Sequence, residues 1–278
     1  MTAGPATRRA AVLGSPVGHS LSPALHRAAY AHLGLTGWSY DAYDVDEAGL
    51  AGFLADLDPS WAGLSLTMPL KAAVLPLLDA ASPVVETVGA ANTVLLRDGR
   101  RVGENTDVPG MVGALATRGV TTVDRAVLLG GGATARSAVA ALAAVTRSVL
   151  AYVRDPARRG GLESAAAGAG VTLEVEPWAH AADGLDAPLV VAATAAGGTD
   201  ALVPAVPRAV GVLFEVLYDP WPTPLAAAWV ARGGPVVDGL ELLVHQAVLQ
   251  VSLMTGVEVE RDELARVLRA AGERALRA

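Results

Sequence analysis

Lys71 is the single lysine of the chain, and every other basic side chain among the 21 Lys+Arg residues is arginine. A coding bias toward arginine removes lysines wherever the two are interchangeable. It spares a lysine whose chemistry arginine cannot supply. Arginine holds its proton at any workable pH, whereas an ammonium gives one up once burial or a neighbouring cation lowers its pKa from about 10.4. Lys71 is therefore a candidate proton donor and acceptor. The competing reading is chance survival on a solvated surface.

Other groups that could share this chemistry lie in three segments. Ser20 and Ser22, in Gly14-Ser15-Pro16-Val17-Gly18-His19-Ser20-Leu21-Ser22-Pro23, offer two neutral donors that can face one carboxylate. Thr67 precedes Lys71 by four residues. Asn92 and Asp107 follow in Ala90-Ala91-Asn92-Thr93 and Gly103-Glu104-Asn105-Thr106-Asp107. Helix capping is the structural alternative for Ser22 and for Asp107.

Positioning these groups falls to alternating strands and helices, the signature of an α/β fold with mostly parallel sheets. Arg9–Leu13 reads as the first strand, followed by a helix from Pro23 to Leu33 with Ser22 as its N-cap. Trp38–Asp44 alternates as a strand, Ala48–Ala55 is helical, and Gly63–Thr67 is a short buried strand. Lys71–Asp79 and Val84–Val88 read as helices. Ala91–Leu96 and Arg101–Gly103 form a hairpin around Asp98-Gly99. After a helix over Val108–Arg118, the apolar strand Arg125–Leu129 runs into Gly130-Gly131-Gly132-Ala133-Thr134. A helix to Val145 and a strand over Ser148–Val153 complete a βαβ unit. Further strands are predicted at Val171–Val175, Leu189–Ala193, Val210–Val216 and Val236–Val237. The last helices cover Leu240–Thr255 and Asp262–Leu276. Residues 1–106 with the C-terminal helices of 240–278 form one domain, and 107–239 a second, with a cleft expected between them.

The glycine turn carries its own chemistry. Glycine lets a strand turn sharply into a helix and lets a pyrophosphate approach free backbone N–H groups. Gly130 and Gly132 carry most of this reading, while Ala133 stands where a third glycine would ease contact. An ordinary tight βα turn is the alternative. At the end of the second strand, Arg154 and Arg158 could clamp a 2′-phosphate, which favours NADP over NAD. Asp155 dissents, since it could instead hold a ribose hydroxyl, or simply pair with an arginine.

Composition narrows the remaining classes. The net charge of −7 argues against nonspecific nucleic-acid binding, so an anionic ligand must be held by local donors. There is no apolar run of about 18 residues for a membrane span. Met1 to Arg9 is short and mixed, without an apolar core before a cleavage site. With no cysteine there is no disulfide or thiolate metal site, and no His/Cys cluster suggests a metal. A cytoplasmic enzyme, monomer or homodimer, with small-molecule partners and no membrane or nucleic-acid partner, is expected.

Taken together, these motifs resemble the shikimate dehydrogenase family over nearly the whole chain. Gly14 to His26 matches the family pattern G-x-P-x-x-H-S-x-S-P-x-x-H in full. Gly63 to Lys71 is similar to G-x-N-V-T-x-P-x-K, with Ser65 in place of the asparagine. Ala90 to Thr93 and Gly103 to Gly110 look like A-x-N-T and G-x-N-T-D-x-x-G. Tyr218-Asp219-Pro220-Trp221-Pro222-Thr223-Pro224-Leu225 is similar to Y-x-P-x-x-T-x-L. Glu215 replaces a usual aspartate, and Ala192 falls where the family has asparagine.

The resemblance implies a Rossmann NADP-binding domain and a substrate-binding domain. It implies reversible NADPH-dependent reduction of 3-dehydroshikimate to shikimate, in the chorismate route to aromatic amino acids. Lys71 and Asp107 would be the catalytic pair. Ser20, Ser22, Thr67, Lys71, Asn92, Asp107, Tyr218 and Gln246 would bind substrate. Gly130, Gly131, Gly132, Ala133, Thr134, Arg154, Arg158, Thr194 and Gly239 would hold the cofactor. The alternatives are a quinate or aminoshikimate dehydrogenase using NAD or NADP, and a non-catalytic ligand sensor, which an intact Lys71 and Asp107 argue against.

Overall fold

Short apolar strands alternate with helices along most of the chain, and the strands collect into two six-stranded sheets. A computed structural model describes residues 8–277. The reading of Met1 to Arg9 therefore lies, for residues 1–7, outside the described residues, as does Ala278.

The first sheet is built around β1 (Arg8–Gly14), which runs parallel to β2 (Trp38–Asp44) on one side and β3 (Trp61–Leu66) on the other. Two helices make these parallel crossovers, α1 (Ser22–His32) and α2 (Glu47–Ala55). Asp46 caps α2, its carboxylate accepting from the Gly49 N–H at 2.9 Å. Ser22 does not cap α1 as expected. It is already helical, the N-cap is Leu21, and the Ser22 N–H donates to the Ser20 hydroxyl at 3.3 Å. The helix predicted over Lys71–Asp79 is also corrected. It shrinks to α3 (Leu70–Ala73) and a 3-10 turn at Leu75–Leu77. Pro76 lacks an N–H and its ring crowds the preceding turn, so an α-helix cannot continue through it. The chain then forms a two-residue strand that the sequence did not announce, β4 (Ala80–Ala81), and α4 (Pro83–Val88). The expected hairpin is β5 (Thr93–Arg97) and β6 (Arg100–Glu104), turning on Asp98 at φ +51° and Gly99 at φ +73°. The sheet order is β2-β1-β3-β5-β6-β4, antiparallel only at β3–β5 and β5–β6.

Beyond α5 (Asp107–Ala116), the second sheet is wholly parallel. It comprises β7 (Ala126–Leu129), β8 (Ser148–Val153), β9 (Thr172–Pro177), β10 (Leu189–Ala192), β11 (Val212–Glu215) and β12 (Val236–Val237). Helices α6 (Ala133–Leu142), α7 (Arg159–Ala169) and α8 (Pro224–Ala231) accompany it. The order β12-β11-β10-β7-β8-β9 is that of a doubly wound nucleotide-binding sheet, with its switch point between β7 and β10. Apolar side chains fill both of its faces. Leu128, Val139 and Val191 lie on one, and Val127, Leu213 and Trp229 on the other. This accounts for strands that read as continuous apolar runs.

The last helices are α9 (Gly239–Thr255) and α10 (Arg261–Ala275), the second packed on α1. Contacts divide the chain into two units. One holds Met1–Glu86, Ala90–Thr106 and Leu243–Ala278; the other holds Thr87–Gly89 and Asp107–Leu242.

Candidate active site

In the first unit, the ends of β1 and β3 are laced together. Thr67 N–H donates to the Leu13 carbonyl at 2.9 Å, and Ser15 N–H to the Met68 carbonyl at 3.0 Å. A side chain at Gly14 would collide with Thr67 Cγ2, so glycine is what lets the two loops close on each other. This brings the start of the loop that carries Ser20 and Ser22 beside Thr67 and Met68, just before α3, which carries Lys71. The Lys71 carbonyl accepts from Ala91 N–H at 2.8 Å, and Leu66 N–H donates to the Asn92 carbonyl at 2.7 Å. Asn92 is buried and its amide nitrogen lies 2.9 Å from Thr106 Oγ1 and 3.4 Å from Gln246 Oε1. Six of the substrate-site candidates, Ser20, Ser22, Thr67, Lys71, Asn92 and Gln246, thus belong to one laced end of this unit.

Behind them is a buried polar cluster that sequence reasoning did not identify. Tyr40 donates to Ser65 Oγ at 2.6 Å, Ser65 donates to Gln250 Oε1 at 2.8 Å, and Gln250 Nε2 reaches Thr93 Oγ1 at 2.8 Å. His26 is wholly buried, stacks on Tyr40 with ring centroids 3.9 Å apart, and lies 3.3 Å from Gln250 Oε1. Burial lowers its pKa to about 3, so it is neutral, and facing an amide oxygen it must donate from Nε2. The period-two alternation of β2 placed Tyr40 on a face, but no local signal paired it with a helix some two hundred residues later.

In the second unit, β7 ends at the switch point and enters the glycine turn. Gly130 has φ +130°, and any side chain there would strike the Ala193 carbonyl across from it. A side chain at Gly131 would crowd Arg158 Cβ at 2.7 Å. Gly132 is different: it N-caps α6 with extended backbone and faces open space, so backbone N–H groups at the start of the helix can meet an anion. Ala133 and Thr134 begin that helix. Thr194 follows Ala193 on the opposite side of the switch point. The steric need for glycine therefore rests on Gly130 and Gly131, rather than on Gly130 and Gly132 as the spacing suggested.

Arg154 and Arg158 are exposed at the end of β8. The Arg154 guanidinium lies over the Trp178 ring at 5.3 Å. Asp155, the dissenting residue, is already occupied. Its carboxylate accepts from Ala157 N–H at 2.9 Å as the cap of the following turn, and pairs with Arg158 Nε at 3.7 Å. Arg136, not singled out from sequence, donates from Nη2 to the Gly89 carbonyl at 2.9 Å; burial and then the Arg158 charge lower its pKa. Residues 216–223 carry Tyr218, and the Gly239 N–H donates to the Leu217 carbonyl at 3.2 Å. Asp107, 4% exposed, opens α5 directly after Thr106. A cradle free of side chains, a helix N-terminus and two exposed arginines fit a phosphorylated dinucleotide.

Comparison with known proteins agrees with this layout. Residues 12–94 match the family model of the shikimate dehydrogenase substrate binding domain, and residues 239–269 that of the shikimate 5'-dehydrogenase C-terminal domain. The chain is 37% identical over 253 residues to a shikimate dehydrogenase (NADP(+)) of Thermus thermophilus, covering 90% of this chain and 93% of that one. The chain belongs to the shikimate dehydrogenase family. Its fold superposes on the crystal structure of Mycobacterium tuberculosis shikimate dehydrogenase with a TM-score of 0.86 at 35% identity, covering 95% of this chain and 99% of that one. The Thermus thermophilus enzyme in complex with NADP(H) and shikimate gives a TM-score of 0.80 at 35% identity, with 95% and 99% covered.

Within the family, this chain's departures acquire structural meaning. Ser65, at the family's asparagine position, is the middle of the buried Tyr40–Ser65–Gln250 chain. Glu215, at a usual aspartate position, ends β11 fully buried, accepting from Leu217 N–H at 3.3 Å and from the Thr223 hydroxyl at 3.1 Å. Burial raises its pKa to about 7 against the opposing pull of those two donors. Ala192, at the other asparagine position, is buried at the end of β10.

Proposed function

We propose that the protein catalyses the reversible NADPH-dependent reduction of 3-dehydroshikimate to shikimate. The observation that supports this most is the placement of Ser20, Ser22, Thr67, Lys71 and Asn92 on one laced end of the first unit. That constellation occurs in a chain whose full-length relatives are shikimate dehydrogenases using NADP(+). The first unit serves as the substrate-binding domain and the second as the dinucleotide-binding domain.

Gly130, Gly131, Gly132, Ala133 and Thr134 hold the cofactor's pyrophosphate by backbone N–H groups, and Arg154 and Arg158 hold its 2′-phosphate. Thr194 and Gly239 flank its nicotinamide end. When bound, the cofactor supplies the hydride. On the substrate side, Ser20 and Ser22 donate to the carboxylate, and Thr67, Asn92, Asp107, Tyr218 and Gln246 orient the ring hydroxyls. Lys71 donates a proton to the substrate oxygen as the carbonyl is reduced, and takes it back in the reverse direction. Its cation also stabilises the negative charge developing on that oxygen. Asp107 is the second member of the catalytic pair. The protein works in the cytoplasm as a monomer or homodimer, with small molecules as its partners. Among the described residues no helix is long and apolar enough to cross a membrane.

Initial rates followed by nicotinamide absorbance test this, with shikimate and quinate each paired with NADP and NAD. Turnover with shikimate and NADP, and little with the other pairs, is expected. Preference for quinate or for NAD would reject the proposed specificity, and absence of turnover with every pair would reject the enzyme reading.

A further inference from the structure

The Asn92 amide could face its neighbours with either end, and the surrounding hydrogen bonds leave it one choice. A carbonyl only accepts, so the Gln250 atom 3.2 Å from the Asn92 backbone oxygen must be its amide nitrogen. The same nitrogen lies 2.8 Å from Thr93 Oγ1, which must accept there. The single Thr93 proton is then turned to Asn92 Oδ1 at 3.0 Å. The Thr106 N–H points at that oxygen too, at 2.8 Å. Two donors converge on Oδ1, and the amide nitrogen of Asn92 is left on the side of Thr106 Oγ1 and Gln246 Oε1.

From Gln250 the chain of bonds continues the other way. Its Oε1 accepts from Ser65, and Ser65 accepts from Tyr40. Tyr40, Ser65, Asn92, Thr93 and Gln250 are all buried, so no solvent competes for these protons.

We infer that the buried relay Tyr40–Ser65–Gln250–Thr93 is a positioning device. It fixes which way the Asn92 amide faces, its oxygen toward Thr93 and the Thr106 N–H and its nitrogen toward Thr106 Oγ1 and Gln246 Oε1, and so sets the arrangement of Asn92 and Gln246. The four relay residues act through Asn92 and, by way of its amide nitrogen, Gln246. The inference rests on the proposed substrate roles of those two residues.

Thr93→Val tests it directly, because valine keeps the shape and removes the proton. The KM for shikimate should rise roughly tenfold, the equivalent of one net hydrogen bond, while the KM for NADP stays within about twofold. Thr93→Ser should restore it. Loss of folded protein alone would lower kcat per mole of chain and leave KM in place, so the split separates positioning from a merely structural role. Tyr40→Phe supplies a second variant should the valine protein fail to fold; it should raise the same KM by about threefold or more. In the double variant the two effects should not add, because each breaks the same relay. An unchanged KM for shikimate in both single variants, or strict additivity in the double, would overturn the relay. No turnover by the unmodified protein would refute the functional reading, and the relay's role with it, before any variant is compared.

Discussion

Glu215 makes the stability of this protein depend on pH in a direction opposite to that of most carboxylates. Its side chain is wholly buried, and its pKa stands at about 7 against 4.5 for the free side chain. The fold therefore retains a proton that the unfolded chain releases. Below the unfolded value both states are protonated and the group is neutral to stability. As pH rises from there toward the folded value, the unfolded state gains from ionising and the folded state does not, so stability falls. Above the folded value both are ionised and the loss is complete. Its full size is about 3 kcal/mol, most of it between about pH 5 and pH 8. Glu215→Gln removes the titration and keeps the shape. It changes the bonds to Leu217 N–H and the Thr223 hydroxyl, and that cost is the same at every pH. Urea denaturation of both proteins across this range, followed by tryptophan fluorescence, isolates the effect, since all other titrating groups cancel. The glutamine variant should gain about 2.5 kcal/mol relative to the parent between about pH 5 and pH 8. A difference between the two that stays constant within about 1 kcal/mol would refute the claim that this carboxyl is held protonated.

Lys71→Ala should lower kcat by about a hundredfold or more while the Kd for NADP changes little; Lys71→Arg should not rescue it, because guanidinium does not release its proton. Near-parental turnover in either protein would reject the proton-transfer role. Arg154→Ala should weaken NADP by about tenfold more than NAD in fluorescence titrations, and equal losses would reject the phosphate clamp. Gly130→Ala forces a side chain against the Ala193 carbonyl in a backbone conformation at φ +130°. It should cost at least about 1 kcal/mol in urea denaturation and abolish measurable NADP binding, and parental behaviour in both assays would contradict the described turn.

Much of the fold was legible because buried parallel strands leave an unambiguous trace. Trp38–Asp44 and Ser148–Val153 are strands over the predicted bounds. The glycine turn stood out because backbone geometry at Gly130 admits no side chain. What escaped was whatever depended on partners distant in sequence. β4 is two alanines, strand only because β6 lies alongside. The 3-10 segment at Trp178–Gly184 and α8 carry no strong periodicity. At the site, residue types and motifs pointed to Lys71, Asn92 and Asp107. The relay behind them was illegible, because a glutamine on a helix does not announce which of its two amide ends will face which strand. For Asp155 the pairing with an arginine was one of the readings open from sequence, but its local capping bond is invisible until the turn forms.

The division of the chain sets an order of events during synthesis. The stretch Asp107–Leu242 holds nearly all of the second unit, and it is synthesised before Gln246 and Gln250. Units that fold as they emerge would complete the nucleotide-binding sheet first. Until α9 arrives, the nascent first unit holds Ser65, Asn92 and Thr93 without the glutamines that later engage them, and α1 waits for α10. The substrate end is thus assembled last, by helices that close over strands translated first.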